Sequence, residues 1–258
     1  MNRIHLFEIE DLSWCPTVIR EALTDFLFGL SNMNVYKSAY HKIYEILDKT
    51  NTNSIIDCCS GTGGPIKKLR NYLDNHQKKD ITITLTDKYP NFRSFEKIEK
   101  EYPGKINSIT QPVDATEIPS SLKGLRTFFS SFHHFKPEHA AKILEDAVKN
   151  DVPIAIFEST QCRPVDFFLA LVSPLAVWII LPFSKQLTFW KFILTYILPV
   201  IPFAFMWEYF VSNLRTYSLR ELHALTQKIR AENYHWEYGK LKSGIRKNCV
   251  IYLIGYRK

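Results

Sequence analysis

Short apolar runs alternate with helix-like segments through the middle of this 258-residue chain. The candidate strands are residues 54–56, 81–85, 106–113, 126–130 and 152–157. The segments between them, such as residues 65–73, carry apolar side chains at helical spacing. Strands that alternate with helices form a mostly parallel sheet whose two faces are both covered by helices. We therefore expect an α/β chain.

The two ends of the chain extend this pattern. Two amphipathic segments, residues 16–30 and 35–47, precede the first strand and predict helices. Near the C-terminus, Ser218 and Glu221 have the spacing of a capping box and predict a helix to about Arg230. Residues 234–241 and 249–256, joined by 242–248, predict an antiparallel hairpin. We expect an N-terminal helical cap over 1–50 and a main domain over 51–258, with an apolar insertion at 163–212.

Composition limits the partners. The net charge is +7 and the pI about 9.0, but the basic residues are scattered without an arginine-rich run, which makes nucleic acid an unlikely partner. The five cysteines are odd in number and lack metal-ligand spacing, so we expect reduced thiols and no metal. The acidic first ten residues do not have the pattern of a secretory signal. These features predict a cytoplasmic protein.

A Gly-rich turn follows the first strand. Asp57 ends that strand, and small residues from Cys59 to Gly63 lead into the next helix, where backbone can approach a ligand closely. This segment resembles the first motif of the class I S-adenosylmethionine-dependent methyltransferases, an acidic residue followed by a Gly-rich loop. Cys59 stands where that motif has its first glycine, and we expect its small side chain to be tolerated. A tight strand-to-helix connection is the alternative.

Two further carboxylates fit the resemblance. Asp87 ends the second strand, and the resemblance implies that it accepts hydrogen bonds from the ribose hydroxyls of the cofactor; a turn residue is the alternative. Asp114 resembles the acidic residue beside the adenine, with a cap or turn carboxylate as the alternative.

The resemblance covers residues 54–157 closely and is compatible with the chain after Ser218. It implies a Rossmann-like sheet and S-adenosylmethionine as cofactor, in a bacterial-type member with an apolar insertion before the last helix. The cofactor-binding residues that it implies are Asp57, Cys59, Ser60, Gly61, Gly63, Asp87, Asp114 and Ser131.

Three residues at strand ends are candidates for catalysis. His133 and His134 follow the fourth strand, where the family borders the methyl group, and imidazole titrates near neutral pH. Alternatively, one histidine caps the helix that begins at residues 136–138. Glu158 closes the fifth strand and either binds substrate or forms a hydrogen bond with the neighbouring residues 159–160.

The candidates for substrate binding are Trp14, Glu208, Arg215 and Tyr217. Trp14 lies in the segment that covers the site in this family, with core packing as the alternative. Arg215 would hold an acidic substrate, or pair with Glu208 or Glu221.

The insertion contains two uncharged runs, 167–183 and 192–207, of 17 and 16 residues. A spanning helix needs about 20 apolar residues, and prolines interrupt both runs. We expect residues 165–207 to dip into one leaflet, with Lys185 and Lys191 at the connection and the tryptophans at the interface. A helical subdomain with its apolar faces packed inside, or in a dimer, is the alternative.

The sequence thus predicts methyl transfer from S-adenosylmethionine to a small hydrophobic acceptor, such as a lipidic or membrane-resident molecule, at the inner face of the membrane. It does not distinguish O-, N-, S- or C-methylation. Two alternatives remain open: a catalytically inactive membrane-associated binding or scaffold protein with the same fold, and an RNA methyltransferase.

Overall fold

The computed structural model describes residues 3–31, 35–76, 80–183, 187–229, 232–242 and 250–258. The chain forms two compact units. The sheet unit consists of Asn34–Ser159 and Tyr217–Lys258, and the inserted unit consists of Met1–Met33 and Thr160–Thr216. This division differs from the boundaries expected from the sequence, because the helix that follows residue 36 belongs to the sheet unit.

Seven strands form one sheet in the described part of the sheet unit, in the order β3-β2-β1-β4-β5-β7-β6. They are β1 (Ser54–Cys58), β2 (Thr82–Thr86), β3 (Ile106–Ser108), β4 (Leu125–Phe129), β5 (Ile154–Glu158), β6 (Tyr234–Leu241) and β7 (Val250–Arg257). The first five pair in parallel, and β7 pairs antiparallel with both β5 and β6. The predicted Rossmann-like sheet with a C-terminal antiparallel hairpin is confirmed.

Helices cover both faces of this sheet, as alternating side chains require. The helices of the unit are α2 (Lys37–Lys49), α3 (Gly64–Asn75), α4 (Phe92–Glu101), α5 (Pro137–Lys149) and α9 (Leu219–Gln227). Ile55 and Phe157 belong to a core shared with α2, α3 and α4, whereas Ile56 and Ile156 belong to a second core shared with α5 and α9. Neighbouring residues of one strand therefore stabilise opposite layers.

Most predicted elements lie within two residues of the observed ones. The capping box at Ser218 is present, since its hydroxyl accepts from the Glu221 amide and the Glu221 carboxylate accepts from the Ser218 amide, but the helix ends at Gln227. The third strand was predicted too long, over 106–113, and only Ile106–Ser108 pairs with β2. Part of the predicted turn at 242–248 lies outside the described residues.

The inserted unit is helical. It contains α1 (Thr17–Ser31), α6 (Pro164–Ile180), a 3-10 turn (Leu181–Phe183), α7 (Phe189–Phe192), a π-helical turn (Ile193–Ile197) and α8 (Val200–Arg215). Its own apolar core joins α1, α6 and α8 through residues such as Leu23, Val177 and Phe205. The insertion is thus a packed unit with a buried interior.

None of the described helices is by itself long and apolar enough to cross a bilayer. The segments Phe189–Ile197 and Val200–Arg215 have the necessary length and composition only when they are taken together, and they meet at a bend of 78°.

Candidate active site

The loop after β1 holds three residues in the left-handed backbone region. Cys59 has φ 55°, Gly61 has φ 54° and Gly63 has φ 69°. A Cβ atom at Gly63 would lie 2.5 Å from Cδ1 of Ile98, so that position admits only glycine without a shift of Ile98. The loop is fastened to β2, because Ser60 N–H donates to the Thr86 carbonyl over 3.0 Å.

Asp57 is buried at the end of β1 between the neighbouring strands. The Thr127 hydroxyl of β4 donates to its Oδ1 atom over 2.8 Å, and the Thr86 hydroxyl of β2 donates to its carbonyl over 2.8 Å. Burial raises the pKa of Asp57 to about 7, although hydrogen bonds from Ser60 and Thr127 act in the opposite direction. Asp57 therefore changes its charge near neutral pH.

Asp87 follows β2 and reaches the Gly-rich loop. Its Oδ2 atom accepts from Gly61 N–H over 2.8 Å, and its Oδ1 atom accepts from Tyr89 N–H over 2.8 Å. Each carboxylate oxygen has capacity for a second hydrogen bond, so this geometry is compatible with diol binding as well as with a turn.

Asp114 has the contacts of a turn carboxylate. Its Oδ1 atom accepts from the amide and the hydroxyl of Thr116, and its Oδ2 atom is 3.0 Å from Nζ of Lys88. Burial raises its pKa, but the hydrogen bonds from Thr116 and the charge of Lys88 outweigh this effect and lower the pKa to about 2. The turn alternative is thus what the structure displays, and adenine binding stays a prediction.

A hydroxyl network that sequence reasoning missed lies at the ends of β4 and β5. The Tyr36 hydroxyl is 2.6 Å from the Ser130 hydroxyl and 3.2 Å from that of Ser159. Ser130 itself has φ 45°, an unusual conformation for a residue with a side chain. Little in the sequence indicated this network, because Tyr36 lies 18 positions before β1 and belongs to no recognised motif. Next to it, Ser131 Oγ is buried and has no hydrogen-bond partner among the described residues.

His133 and Glu158 form a buried pair. Nδ1 of His133 is 2.7 Å from Oε2 of Glu158, and His133 N–H donates to Oε1 over 3.2 Å. A carboxylate oxygen only accepts, so Nδ1 carries the hydrogen and the basic lone pair of neutral His133 is assigned to Nε2. The hydrogen bonds of Glu158 thus go to His133, whereas residues 159–160 were the alternative partners, and substrate binding by Glu158 stays a prediction.

His134 stacks on His133, with ring centroids 4.4 Å apart. Both histidines lie in a 3-10 turn, Phe132–His134, and Lys136 is the N-cap residue of α5 without a side-chain cap. Neither histidine is therefore the N-cap residue of α5, and catalysis by either of them stays a prediction.

The fold of the chain is similar to that of solved methyltransferases. A plantazolicin methyltransferase, BpumL, solved with S-adenosylhomocysteine, superposes with a TM-score of 0.51 at 13% identity, over 91% of this chain and 86% of that chain. Magnesium protoporphyrin IX methyltransferase from Synechocystis, also with S-adenosylhomocysteine, gives 0.50 at 10% identity, over 89% and 84%. The chain has the class I methyltransferase fold.

Comparisons by sequence find no match for this chain. No protein-family model matches the chain, and no curated protein is detectably similar to it. Some of the neighbours are longer: the chain covers 55% of the pyocyanin biosynthetic protein PhzM, with a TM-score of 0.49 and 12% identity over 88% of this chain. The chain thus spans just over half the length of such neighbours.

Arg215 and Glu208, predicted to bind substrate, make buried contacts inside the inserted unit. Arg215 is buried and pairs with Glu8 at 2.5 Å and Asp11 at 2.6 Å, where Glu208 or Glu221 was expected as partner. Glu208 accepts from Ile9 N–H over 2.5 Å. These contacts fasten the N-terminal segment to α8.

The two aromatic candidates for substrate binding, Trp14 and Tyr217, differ in exposure. Trp14 is 72% exposed, so core packing is the wrong alternative for it, and a role as a cover stays a prediction. In the sheet unit, Tyr217 is buried and its hydroxyl donates to the Phe135 carbonyl over 2.8 Å.

The sequence predicted no metal, and it did not predict a carboxylate cluster in the inserted unit. Oxygen atoms of Glu8, Glu10 and Glu208 lie within 4.8 Å of one another. Arg215 beside Glu8 supplies a compensating positive charge there.

Replacing Cys59 by glycine tests the strained position in the first methyltransferase motif. The left-handed conformation costs an L-residue about 1–2 kcal/mol, and the added freedom of glycine in the unfolded chain offsets about 0.5–1 kcal/mol of that. We expect Cys59→Gly to change the free energy of unfolding by no more than about 1 kcal/mol in either direction. Cys58→Gly, in the adjacent strand position, should lose about 2 kcal/mol or more. Equal losses in denaturant titrations would contradict this assignment.

Asp57 should make the stability of the ligand-free protein depend on pH. Its pKa is about 7 in the folded state and about 4 in an unfolded chain, so between these values only the folded state holds the proton. Its contribution to the free energy of unfolding is therefore lost as pH rises from about 4 to 7, by at most about 1.4 kcal/mol per unit.

Asp57→Asn should remove this slope in urea titrations between pH 5 and 8. Asp80→Asn, at an exposed carboxylate, is the matched control and should titrate like the wild type. Parallel curves for Asp57→Asn and the wild type would show that Asp57 does not titrate in this range.

Proposed function

We propose that this protein transfers a methyl group from S-adenosylmethionine to a hydrophobic acceptor. The observation that carries the proposal is the meeting, at one edge of the sheet, of the Gly-rich loop, Asp87 and the His133–Glu158 pair. Ligands of open parallel sheets bind at the carboxyl ends of the strands, which is this edge. Two neighbours of this fold, BpumL and the magnesium protoporphyrin IX methyltransferase, were both solved with the demethylated form of the cofactor.

The residues at this edge suit the cofactor. Gly61 and Gly63 present backbone without side chains, Asp87 offers carboxylate oxygens for two hydroxyls, and Ser131 has a buried hydroxyl with bonding capacity. Bound there, S-adenosylmethionine would supply a methyl group on a sulfonium sulfur, which an acceptor heteroatom takes up as it releases its proton.

His133 would receive that proton at Nε2. The Glu158 carboxylate fixes the Nδ1–H tautomer and balances the positive charge that develops on the ring. Burial of both side chains keeps the imidazole in one orientation. This arrangement favours acceptors that must lose a proton, such as hydroxyl or amine groups.

The hydrophobic acceptor is suggested by the chain itself. The inserted unit starts two residues after Glu158, and from Phe167 to Trp207 Lys185 and Lys191 are its only charged residues. This segment therefore follows directly on β5, the strand that ends at Glu158.

We place the activity in the cytoplasm, because the four described cysteines are free thiols.

Asp87→Ala tests the cofactor site. Losing hydrogen bonds to a charged acceptor costs about 1.5–3 kcal/mol, so the dissociation constant for S-adenosylmethionine should rise about 10- to 100-fold in isothermal titration. Asp80→Ala, at an exposed carboxylate near the start of the same strand, should bind like the wild type. Wild-type protein that binds no cofactor would refute the proposal, and unchanged affinity in Asp87→Ala would refute the role of Asp87.

His133→Gln tests the base. We expect radiolabelled methyl transfer into a lipid extract to fall by about 10²- to 10⁴-fold, while the affinity for S-adenosylmethionine stays unchanged. Glu158→Gln should lower the same rate less, because the amide still occupies the place of the carboxylate but no longer balances charge.

The same assay decides among the alternatives. Cofactor binding without transfer into lipid or aqueous extracts would indicate an inactive binding protein. Transfer into RNA alone, together with salt-sensitive RNA binding, would indicate an RNA methyltransferase.

A further inference from the structure

We propose that the inserted unit docks on the surface of a lipid bilayer through one apolar face. Phe168, Leu171, Ile179, Phe189, Trp190 and Ile197 define this apolar face, and each of them is between 61% and 70% exposed. Scattered exposed apolar side chains are normal, but a contiguous group of large ones marks an interaction surface.

Helix α6 has one exposed and one buried side, like an amphipathic helix, but its exposed side chains are apolar. Phe168, Leu171 and Ile179 are exposed, whereas Ala170, Ser173 and Val177 on the opposite side are buried. Water-facing positions of a helix are normally polar. The exposed side of α6 is as apolar as its buried side. This composition favours contact of the exposed side with an apolar partner over contact with water.

Ring contacts and hydrogen bonds join the rest of the apolar face to α6. Phe189 and Trp190 are in contact at 5.6 Å between ring centroids, and Phe192 and Tyr196 at 5.1 Å. The Tyr196 hydroxyl then donates to the Trp178 carbonyl over 2.7 Å, directly beside Ile179. The exposed side chains therefore belong to one surface of packed helices.

Lys191, the one described lysine in this region, is withdrawn from the apolar face. It is only 2% exposed, and its Nζ atom lies 2.6 Å from Asp25 and 3.8 Å from Glu21, both on α1. A lysine beside water normally extends its ammonium outward. The sequence placed Lys191 at the connection between the two apolar runs; its inward pairing leaves the apolar face without that charge.

Polar groups near the apolar face are bonded within the unit. The Trp178 indole donates to the Thr195 carbonyl over 2.9 Å, and the Thr195 hydroxyl donates to the Lys191 carbonyl over 2.6 Å. Lipid offers no hydrogen bonds, so elements in contact with hydrocarbon must satisfy their polar groups internally. The π-helical turn meets this requirement through these side-chain bonds.

A bilayer fits the apolar face better than a second copy of the chain. From Val165 to Phe203, within the described residues, the exposed side chains with polar atoms are those of Thr188, Trp190 and Tyr196, and none of them is charged. Protein interfaces use about one hydrogen bond per 100–200 Å² and a polar rim, neither of which this surface offers. We place the unit in one leaflet, the one that faces the cytoplasm, because α6 and α8 have 17 and 16 residues and a spanning helix needs about 20.

The net charge of the inserted unit indicates which force would drive its docking to a bilayer. The inserted unit has six basic and seven acidic residues, a net charge of −1, although the whole chain carries +7. Attraction to anionic headgroups therefore does not drive docking. Binding should be hydrophobic, should occur on uncharged lipid and should persist at high salt.

Flotation with phosphatidylcholine vesicles tests the proposal without cofactor, so its result is independent of methyl transfer. We expect the wild type to float with the vesicles at about 0.1 M and about 1 M NaCl alike. The double variant Ile179→Glu with Phe189→Glu should reduce partition at least about 10-fold. Phe92→Glu is the matched control, because Phe92 is 59% exposed on the sheet unit and should not contribute.

A second measurement does not depend on charged variants. Tryptophan emission of the wild type should shift to shorter wavelength on adding vesicles, and Trp190→Phe should keep binding but lose part of the shift. Wild-type protein that stays below the vesicles, or a double variant that floats like the wild type, would overturn the proposal. Binding that is lost at high salt would overturn it too. A dimer in lipid-free solution that the double variant abolishes would assign the face to a second copy.

Discussion

The parallel register of β1 with β2 and β4 is the constraint on which the candidate site depends. Asp57 lies opposite Leu85 on one side and Thr127 on the other, so the three strands end at the same level. That alignment lets the hydroxyls of Thr86 and Thr127 reach Asp57, and it brings Asp87 within hydrogen-bonding distance of Gly61 N–H. A shift of one residue would turn each side chain to the other face and separate these groups.

Backbone strain is concentrated at the same edge. Cys59 after β1 and Ser130 after β4 both adopt positive φ although neither is glycine. Such conformations persist only where surrounding bonds hold them. At Ser130 those bonds are visible, since its hydroxyl lies 2.6 Å from Tyr36 OH and accepts from Ser159 N–H over 3.0 Å. The edge of the sheet is therefore rigid where the ligand would bind, and a rigid edge loses little entropy on binding.

Local patterns predicted the elements of this fold well, because apolar alternation and capping residues act over a few positions. The same patterns located the Gly-rich loop and the strand ends. They missed what depends on distant partners: the pairing of Arg215 with Glu8 and Asp11 joins residues more than 200 positions apart, and the Tyr36 hydroxyl meets Ser130 from another element. The third strand was predicted too long: its paired register ends at Ser108, although Ile109 N–H still donates to the Leu85 carbonyl, and Pro112 has no N–H that could extend the ladder.

Every buried cation among the described residues is paired with a carboxylate, and the pairing has different consequences in the two units. Arg70 with Asp74 and Arg126 with Asp146 are held inside the sheet unit, which carries the excess positive charge on its other residues. In the inserted unit, burial of Lys191 and Arg215 removes two of only six basic groups from the surface. Breaking a buried pair costs about 3–5 kcal/mol, so these charges are not released to water at ordinary pH. The net charge of the whole chain is therefore a poor guide to its partners. The positive excess belongs to the sheet unit, whereas the inserted unit has a net charge of −1 and buries two of its basic side chains.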